Sequence, residues 1–324
     1  MTTTAPASRK RRLTGYPKGW FVISFSDELA VGELKRLDYF GKAFALFRGE
    51  DGAAVLLDAH CAHMGASMAD GGRVVGNTLE CPFHAWRYAS DGRCVEIPYA
   101  KKIPPKACVK RWQLQEKSGL IHMWYDPAGG EPQYALPELP EWEHPDWTRW
   151  TMSTMRIKTH PKEIVENVVD LAHFPHVHFT DVVSFENEFD GHMATQRTRG
   201  IAYPVKGVRD EFDITATYFG PAVQISWMSG NLESRLVNAH TPVNEGELDL
   251  RFGCMVREVG SGRAESFARM YAKSLKVGFF QDIAIWEHKK YRDAPVLCDG
   301  DGPFMKLRRW YAQFYADAGV AGRG

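Results

Sequence analysis

Two short stretches of the chain carry metal-binding side chains in matched order: Cys61-Ala62-His63 and Cys81-Pro82-Phe83-His84, with seventeen residues between them. Two thiolates and two imidazoles satisfy a tetrahedral zinc ion. Zinc fingers, however, usually pair cysteine with cysteine and histidine with histidine, whereas each loop here carries one of each. That arrangement suits a two-iron cluster in which one iron takes both thiolates and the other both imidazoles. Neutral imidazoles make such a cluster less negative and raise its potential. It can then accept electrons from a reductase and pass them to a second metal. Gly65, Gly71 and Gly72 let backbone approach a cluster, and Pro82 stiffens the second loop. Amides around 64–66 and 85–87 are expected to donate to the sulfides.

A second group lies in residues 166–178. His173 and His178 are five apart, about one helical turn, and Pro175 between them is expected to bend the segment. Two histidines and one carboxylate on one face of a ferrous ion leave three positions open for dioxygen, with substrate nearby. The carboxylate must be delivered by the fold. Asp282 has apolar neighbours (Ile283, Ile285, Trp286) that mark a buried helix face. An unpaired carboxylate there is costly, and a metal removes the cost. Glu287 and Asp293 are rivals that read as solvated charges. His176 reads as a supporting or surface residue, and His60 as no ligand. His240 reads as pocket lining or as packing in a strand. Cys94, Cys108, Cys254 and Cys298 read as ordinary buried thiols.

The elements that must position these groups fall into two textures. Residues 1–17 are small, polar and then basic, and read as a disordered tail, because no apolar stretch follows Arg11-Arg12. Residues 18–125 read as an all-β module, with strands near 20–24, 44–47, 54–58, 78–80 and 119–124. Residues 126–150 hold five prolines and read as an extended linker over a surface. Residues 151–324 form the second module. A helix is expected over 162–172, antiparallel strands over 196–258, a long helix over 264–290 and a final helix over 306–318. The fold class is therefore α+β. The chain has 324 residues, with 40 Lys+Arg against 40 Asp+Glu. That balance argues against nucleic acid as main partner. No apolar run approaches the ~18 residues of a membrane span. No compartment other than the cytoplasm is indicated.

The stretches CAHMGASMADGG and CPFHAWRYASDGRC resemble the Rieske domain of Rieske non-haem iron oxygenases. IPYAKKIPP and DGP…LRRWYAQFY resemble a narrower branch, the bacterial 3-ketosteroid 9α-hydroxylase oxygenase components and, more distantly, the animal cholesterol 7-desaturases. The similarity spans roughly residues 18–316, with gaps. It implies an N-terminal Rieske [2Fe-2S] domain and a catalytic domain of helix-grip, START-like type, in which helices cover an antiparallel sheet. Cys61, His63, Cys81 and His84 would hold the cluster, and His173, His178 and Asp282 a mononuclear Fe(2+). Asp282 matches the carboxylate of the family's QD-x-x-I-W motif. The resemblance further implies that Asp170 bridges subunits, joining an iron-ligand histidine of one protomer to a cluster histidine of the next, by position His84. Asn167 matches a residue near the iron. A head-to-tail homotrimer follows from that bridge. No nicotinamide fingerprint is present, so NAD(P)H oxidation must occur on a separate protein, and the resemblance implies a flavin and iron–sulfur reductase, with or without a ferredoxin, as electron donor. The implied activity is O2-dependent monohydroxylation of an apolar polycycle, a 3-ketosteroid or related steroid. Tyr218, Phe219, Val223, Ile225, Trp227 and Met228 would suit its pocket. Aromatic ring hydroxylation, N- or O-demethylation, an electron carrier and a zinc-stabilised binding module are the alternatives.

Overall fold

The computed structural model describes residues 15–203, 209–230, 232–257 and 264–315. The expected tail and the last residues of the expected final helix lie largely outside them. Eleven strands precede residue 126: β1 Gly19–Phe25, β2 Leu34–Tyr39, β3 Lys42–Arg48, β4 Ala54–Asp58, β5 Arg73–Val75, β6 Thr78–Glu80, β7 Arg87–Tyr88, β8 Cys94–Glu96, β9 Arg111–Trp112, β10 Leu114–Lys117 and β11 Leu120–Tyr125. They form three antiparallel sheets, ordered β1-β11-β10, β2-β3-β4-β9 and β5-β6-β7-β8. Successive side chains of a strand face opposite ways, and β3 uses both sides. Phe44 and Leu46 enter the core against Phe21, Ile23 and Trp112, while Ala45 and Phe47 pack with Met68, Leu79 and Tyr88 beside the cysteine loops.

Seven further strands make one antiparallel sheet: β12 Thr151–Ile157, β13 Thr180–Asp190, β14 Met193–Ala202, β15 Asp210–Phe219, β16 Val223–Ser229, β17 Ser234–Asn244 and β18 Glu247–Val256. Their order is β12-β18-β17-β16-β15-β14-β13. Among the described residues four α-helices accompany it: α1 Pro161–Val165, α2 His173–Val177, α3 Ala264–Trp286 and α4 Phe304–Ala312. Phe279 of α3 meets Phe252 at a ring distance of 4.9 Å, and Ile283 and Trp286 pack with Leu248 and Leu250. The long helix thus lies against one face of the sheet, as a helix-grip fold requires. No described helix is long and apolar enough to cross a membrane.

The opposite face of that sheet packs on β1 and β11. Trp20, Val22 and Trp124 join Val223, Ile225 and Val237 in one core, while Phe21, Ile23 and Met123 face the other way. This is why β1 and β11 read as unbroken apolar runs instead of alternating ones. A bulge between Val22 and Ser24 shifts the β1 register, and a bulge frees backbone groups. The freed carbonyls are taken up from β17 and β18. The Thr241 hydroxyl donates to Val22 O at 2.6 Å, and Arg251 donates to Val22 O at 3.0 Å and Ile23 O at 2.8 Å. Arg251 also donates to the Tyr39 hydroxyl, which donates to Asp249 at 3.0 Å.

Several expectations change. The helix over 162–172 is not continuous: α1 tightens into a 3-10 turn, Glu166–Val169, and ends at Asp170, whose ψ of 89° is non-helical. The bend therefore falls between the two helical pieces and not at Pro175, which sits inside the first turn of α2, where a missing N–H costs little. The long helix stops at Trp286 and the final one at Ala312. The segment 126–150 does not merely cross a surface, because Leu136, Leu139 and Trp150 are buried in the core between the modules. Strands β12 and β13 and most of the two- to four-residue strands are additions to the expected set, being too short or too polar for a periodic signal. Cys108 and Cys298 are exposed, unlike Cys94 and Cys254, since both sit in loops.

Arg251→Met should lower unfolding free energy by about 3 kcal/mol, because it strands buried acceptors without a donor. Urea denaturation measures this. A loss below about 1 kcal/mol would show that the cross-module contact carries no stability.

Candidate functional site

The two cysteine loops are built alike. Cys61 N donates to Ala66 O and Gly65 N returns to Cys61 O, both at 2.9 Å. In the second loop Cys81 N donates to Trp86 O at 2.8 Å and Ala85 N to Cys81 O at 3.0 Å. Gly65 and Ala85 occupy the same loop position, both with positive φ, 75° and 56°. A left-handed alanine is strained, which indicates that the loop shape is imposed from outside. These two amides serve the cysteine carbonyls, not the sulfides as expected. The Cys81 sulfur instead accepts from the amides of Phe83 and His84.

The thiols of Cys61 and Cys81 are buried and adjacent, and burial pushes the Cys81 thiol up. The imidazoles of His63 and His84 sit outward, 4.7 Å apart between ring centres, with His63 stacked on Trp86 at 4.6 Å. Sulfurs pair inside and imidazoles outside. Among the described residues, no three of these four groups bring ligand atoms within 4.8 Å of one another. One zinc ion needs all four within bonding reach, whereas a cluster with two irons needs two separated pairs. The donor set fits the cluster. No spacing signal points to Tyr88, whose hydroxyl lies 3.0 Å from the Cys61 sulfur and accepts from Ala62 N at 3.2 Å. Such a contact tunes a cluster's potential.

His173, His178 and Asp282 converge: one ligand atom from each lies within 4.8 Å of the others. His178 Nε2 is 3.5 Å from the Asp282 carboxylate, and the two imidazole rings are 5.1 Å apart. Each histidine is held by its other nitrogen. His173 Nδ1 hydrogen-bonds Asp170 O at 2.5 Å, the carbonyl released where the 3-10 turn ends. His178 Nδ1 hydrogen-bonds Gln281 Oε1 at 3.3 Å. Both rings therefore present Nε2 inward, the tautomer that an acceptor on Nδ1 enforces. Gln281 precedes Asp282 in the chain, but its role becomes visible only in three dimensions. Burial works against a charged His178, yet the bond and charge of Asp282 outweigh it and raise its pKa. Burial pushes Asp170 up, but His173 and Lys289 outweigh it and hold its carboxyl down. Asp282 is 8% exposed. A buried carboxylate beside two inward imidazole nitrogens, with one side open, is the donor set of a facial ferrous site.

Asn167 Oδ1 accepts from Trp286 Nε1 at 3.3 Å, tying the 3-10 turn to the last turn of α3. The rivals are elsewhere. His176, His60 and Asp293 are exposed, and Glu287 is an exposed acceptor for Lys158 N. His240 has no exposure and packs 5.8 Å from the Tyr218 ring. A cavity of about 170 Å³ opens from His173 and Asp282 toward the sheet, where Ile214, Ala216 and Tyr218 line it. Of the six residues expected to suit a pocket, only Tyr218 does so. Phe219, Val223 and Ile225 face the other module's core, and Trp227 packs against it. Met228 packs near Leu236 and Phe252. Strand alternation puts Tyr218 and Phe219 on opposite faces.

Residues 19–112 match the family model for a Rieske [2Fe-2S] domain, and residues 123–315 the one for a 3-ketosteroid 9alpha-hydroxylase C-terminal domain. A probable 3-ketosteroid-9-alpha-monooxygenase, oxygenase component, of Rhodococcus rhodochrous is 40% identical, over 93% of this chain and 80% of that protein. The 3-ketosteroid-9-alpha-monooxygenase oxygenase component of Mycobacterium tuberculosis is 35% identical, over 94% and 83%. A cholesterol 7-desaturase of Ciona intestinalis is 31% identical, over 95% and 72%. The crystal structure of dicamba monooxygenase bound to dicamba superposes with a TM-score of 0.77 at 19% identity, over 93% of this chain and 98% of that one, a likeness of fold. The chain is an enzyme with a [2Fe-2S] cluster and a mononuclear iron as cofactors, and it belongs to the Rieske non-haem iron oxygenases, in the family marked by the 3-ketosteroid 9α-hydroxylase C-terminal domain.

Proposed function

We propose that this chain is the oxygenase component of a monooxygenase that hydroxylates a C–H bond of an apolar polycyclic substrate, a 3-ketosteroid or related steroid. One observation carries the reading: the His173, His178 and Asp282 triad opens onto a cavity that, among the described residues, no lysine or arginine lines. An aromatic carboxylate would enter without a counter-charge, which is costly, whereas a ketone or hydrocarbon needs none. The names of the relatives point the same way. A carrier of electrons alone would have no use for such a cavity.

In this reading Cys61, Cys81, His63 and His84 hold the [2Fe-2S] cluster, and His173, His178 and Asp282 hold Fe(2+). When bound, these groups supply one-electron storage and the reduction of dioxygen. Hydroxylation consumes O2, two electrons and two protons, and yields the alcohol and water. The electrons come from a reductase carrying flavin and an iron–sulfur centre, directly or through a ferredoxin. Outward imidazoles at His63 and His84 give electrons an edge near solvent, while buried thiols keep water from the sulfur side. Asp170 O keeps the His173 ring turned, and the Asp170 carboxylate, one-third exposed and accepting from His173 N at 3.3 Å through one oxygen, has its second oxygen to offer a histidine of a neighbouring copy. Exposed Met64, Phe83 and Tyr99 near the cluster loops, and exposed Phe179 and Val183 beyond His178, are apolar surfaces that a head-to-tail homotrimer would cover.

With a reductase, oxygen uptake coupled to product should respond to 3-ketosteroids and not to aromatic acids or N-methylated amines. Stimulation by amines alone would reject the substrate assignment. Asp170→Asn should leave reduction of the cluster unchanged and cut turnover at least about tenfold, as loss of a supporting contact does. Unchanged turnover would remove Asp170 from the electron path. Gly302 lies so close to Val169 that an added Cβ would fall 1.7 Å from its carbonyl oxygen. Gly302→Ala should therefore push the 166–170 turn aside and lower bound mononuclear iron at unchanged cluster content, measured by metal analysis and cluster absorption.

A further inference from the structure

The wall of the cavity farthest in character from the metal site is polar, though its surroundings are not. Asn238 on β17 pairs across the ladder with Gln224 on β16 on one side and Phe252 on β18 on the other. Both Asn238 and Gln224 line the cavity. Asn238 Nδ2 donates to Gln224 Oε1 at 3.4 Å, but Asn238 Oδ1 is buried and has no partner, in a residue only 7% exposed. Two residues along the same face, both ring nitrogens of fully buried His240 also lack partners. Leu236, Leu250 and Phe252 around them are apolar. Buried polar groups in native proteins are nearly always bonded, and an orphaned one costs free energy. Here the orphaned amide borders a cavity, so a ligand atom can satisfy it.

We propose that Asn238 and Gln224 form the seat for an uncharged oxygen of the substrate, a ketone or a hydroxyl, and so decide which C–H bond faces the His173, His178 and Asp282 triad. The inference rests on the steroid reading above and adds to it the residues that orient the ring system. Charge excludes an ionic ligand group, because the described lining on this side offers amides, the uncharged Tyr218 phenol and apolar side chains, and burial keeps His240 neutral by pushing its pKa down to about 3. The amide pair is suited to either oxygen. With Asn238 Oδ1 turned inward it accepts from a hydroxyl. If both amides turn by half a rotation, their mutual bond survives with donor and acceptor exchanged, and Asn238 Nδ2 donates to a ketone. Gln196 lines the same cavity from β14, its Nε2 already committed to the Thr198 hydroxyl at 2.7 Å, which leaves the seat to the other two.

The test is calorimetric binding to the holoenzyme of three steroids that differ by one oxygen: androst-4-ene-3,17-dione, androst-4-en-3-one and androst-4-en-17-one. Wild type should lose about tenfold in affinity when the seated oxygen is deleted, the discrimination a buried hydrogen bond gives. Which deletion is costly identifies the seated end. In Asn238→Leu, close in shape, and in Gln224→Leu, that deletion should cost less than about twofold, and the hydroxylation site should spread over more than one carbon. Cluster absorption and bound iron, unchanged in both variants, establish intact folding. If both variants keep the wild-type discrimination, or weaken all three steroids equally, the seat is wrong while the steroid reading stands. If wild type binds none of the three, the steroid reading fails and the seat with it.

Discussion

A carboxylate held inside the protein governs this structure. Asp282 is 8% exposed and lies on a helix whose neighbouring side chains are apolar. Such a group is tolerated only where cations or donors meet it. His178 Nε2 lies 3.5 Å away, and His173 completes the set. The three donors come from segments about a hundred residues apart, so no local preference can assemble them. The sheet must be closed, α3 must lie along it through Phe279, Ile283 and Trp286, and the 166–178 segment must break where it does. The break at Asp170 is therefore functional geometry: a continuous helix would use the Asp170 carbonyl in its own ladder and leave His173 Nδ1 unbound.

That requirement explains the layering. The catalytic sheet spends its inner face on the cavity and on α3, so its outer face needs another cover. The β1–β11 sheet supplies it, which makes those two strands apolar on both sides. Apolar contact alone does not fix register between sheets. The β1 bulge does, by presenting carbonyls to which Arg251 and Thr241 donate. One module thus holds the other by specific donors set in a non-specific core, and the segment 126–150, with Leu136, Leu139 and Trp150 buried, fills the seam.

Much of the candidate site, including the convergence of His173, His178 and Asp282, was legible because metal chemistry restricts residue types. Cysteine and histidine alternating across two loops, and two histidines a turn apart before a distant aspartate, leave few other uses. The strands of the second module were legible from their sequence alternation between turns, as in β15 through β18, although β17 and β18 are buried on both faces. What escaped has a common cause. Tyr88, Gln281, Arg251, Asn238 and Gln224 act across elements, and their meaning depends on register and on which face of a strand looks inward. Tyr218 and Phe219 show the limit: adjacent and chemically alike, they end in different compartments. The 162–172 helix failed differently. Its apolar spacing was real, since Ile164, Val165 and Val168 are buried, but spacing reports the face of a helix and not where its backbone turns.

The two metal sites divide the work through burial. At the cluster the thiols are inside and the imidazoles outside, so the redox-active edge is the part nearest a partner. At the triad the carboxylate is inside, the two half-buried imidazoles lie beside it, and the group borders a cavity. Electron transfer tolerates exposure, because it needs proximity and moves no heavy atom. Reduction of dioxygen does not tolerate it, because stray protons and water divert the oxidant. A protein that needs both must keep the cluster near an interface and the iron deep. It must then join them by groups that reach from one environment to the other. Asp170 is one-third exposed and lies beside His173, a position suited to that boundary in the proposed reading, and its placement follows from the same helix break that orients the His173 ring.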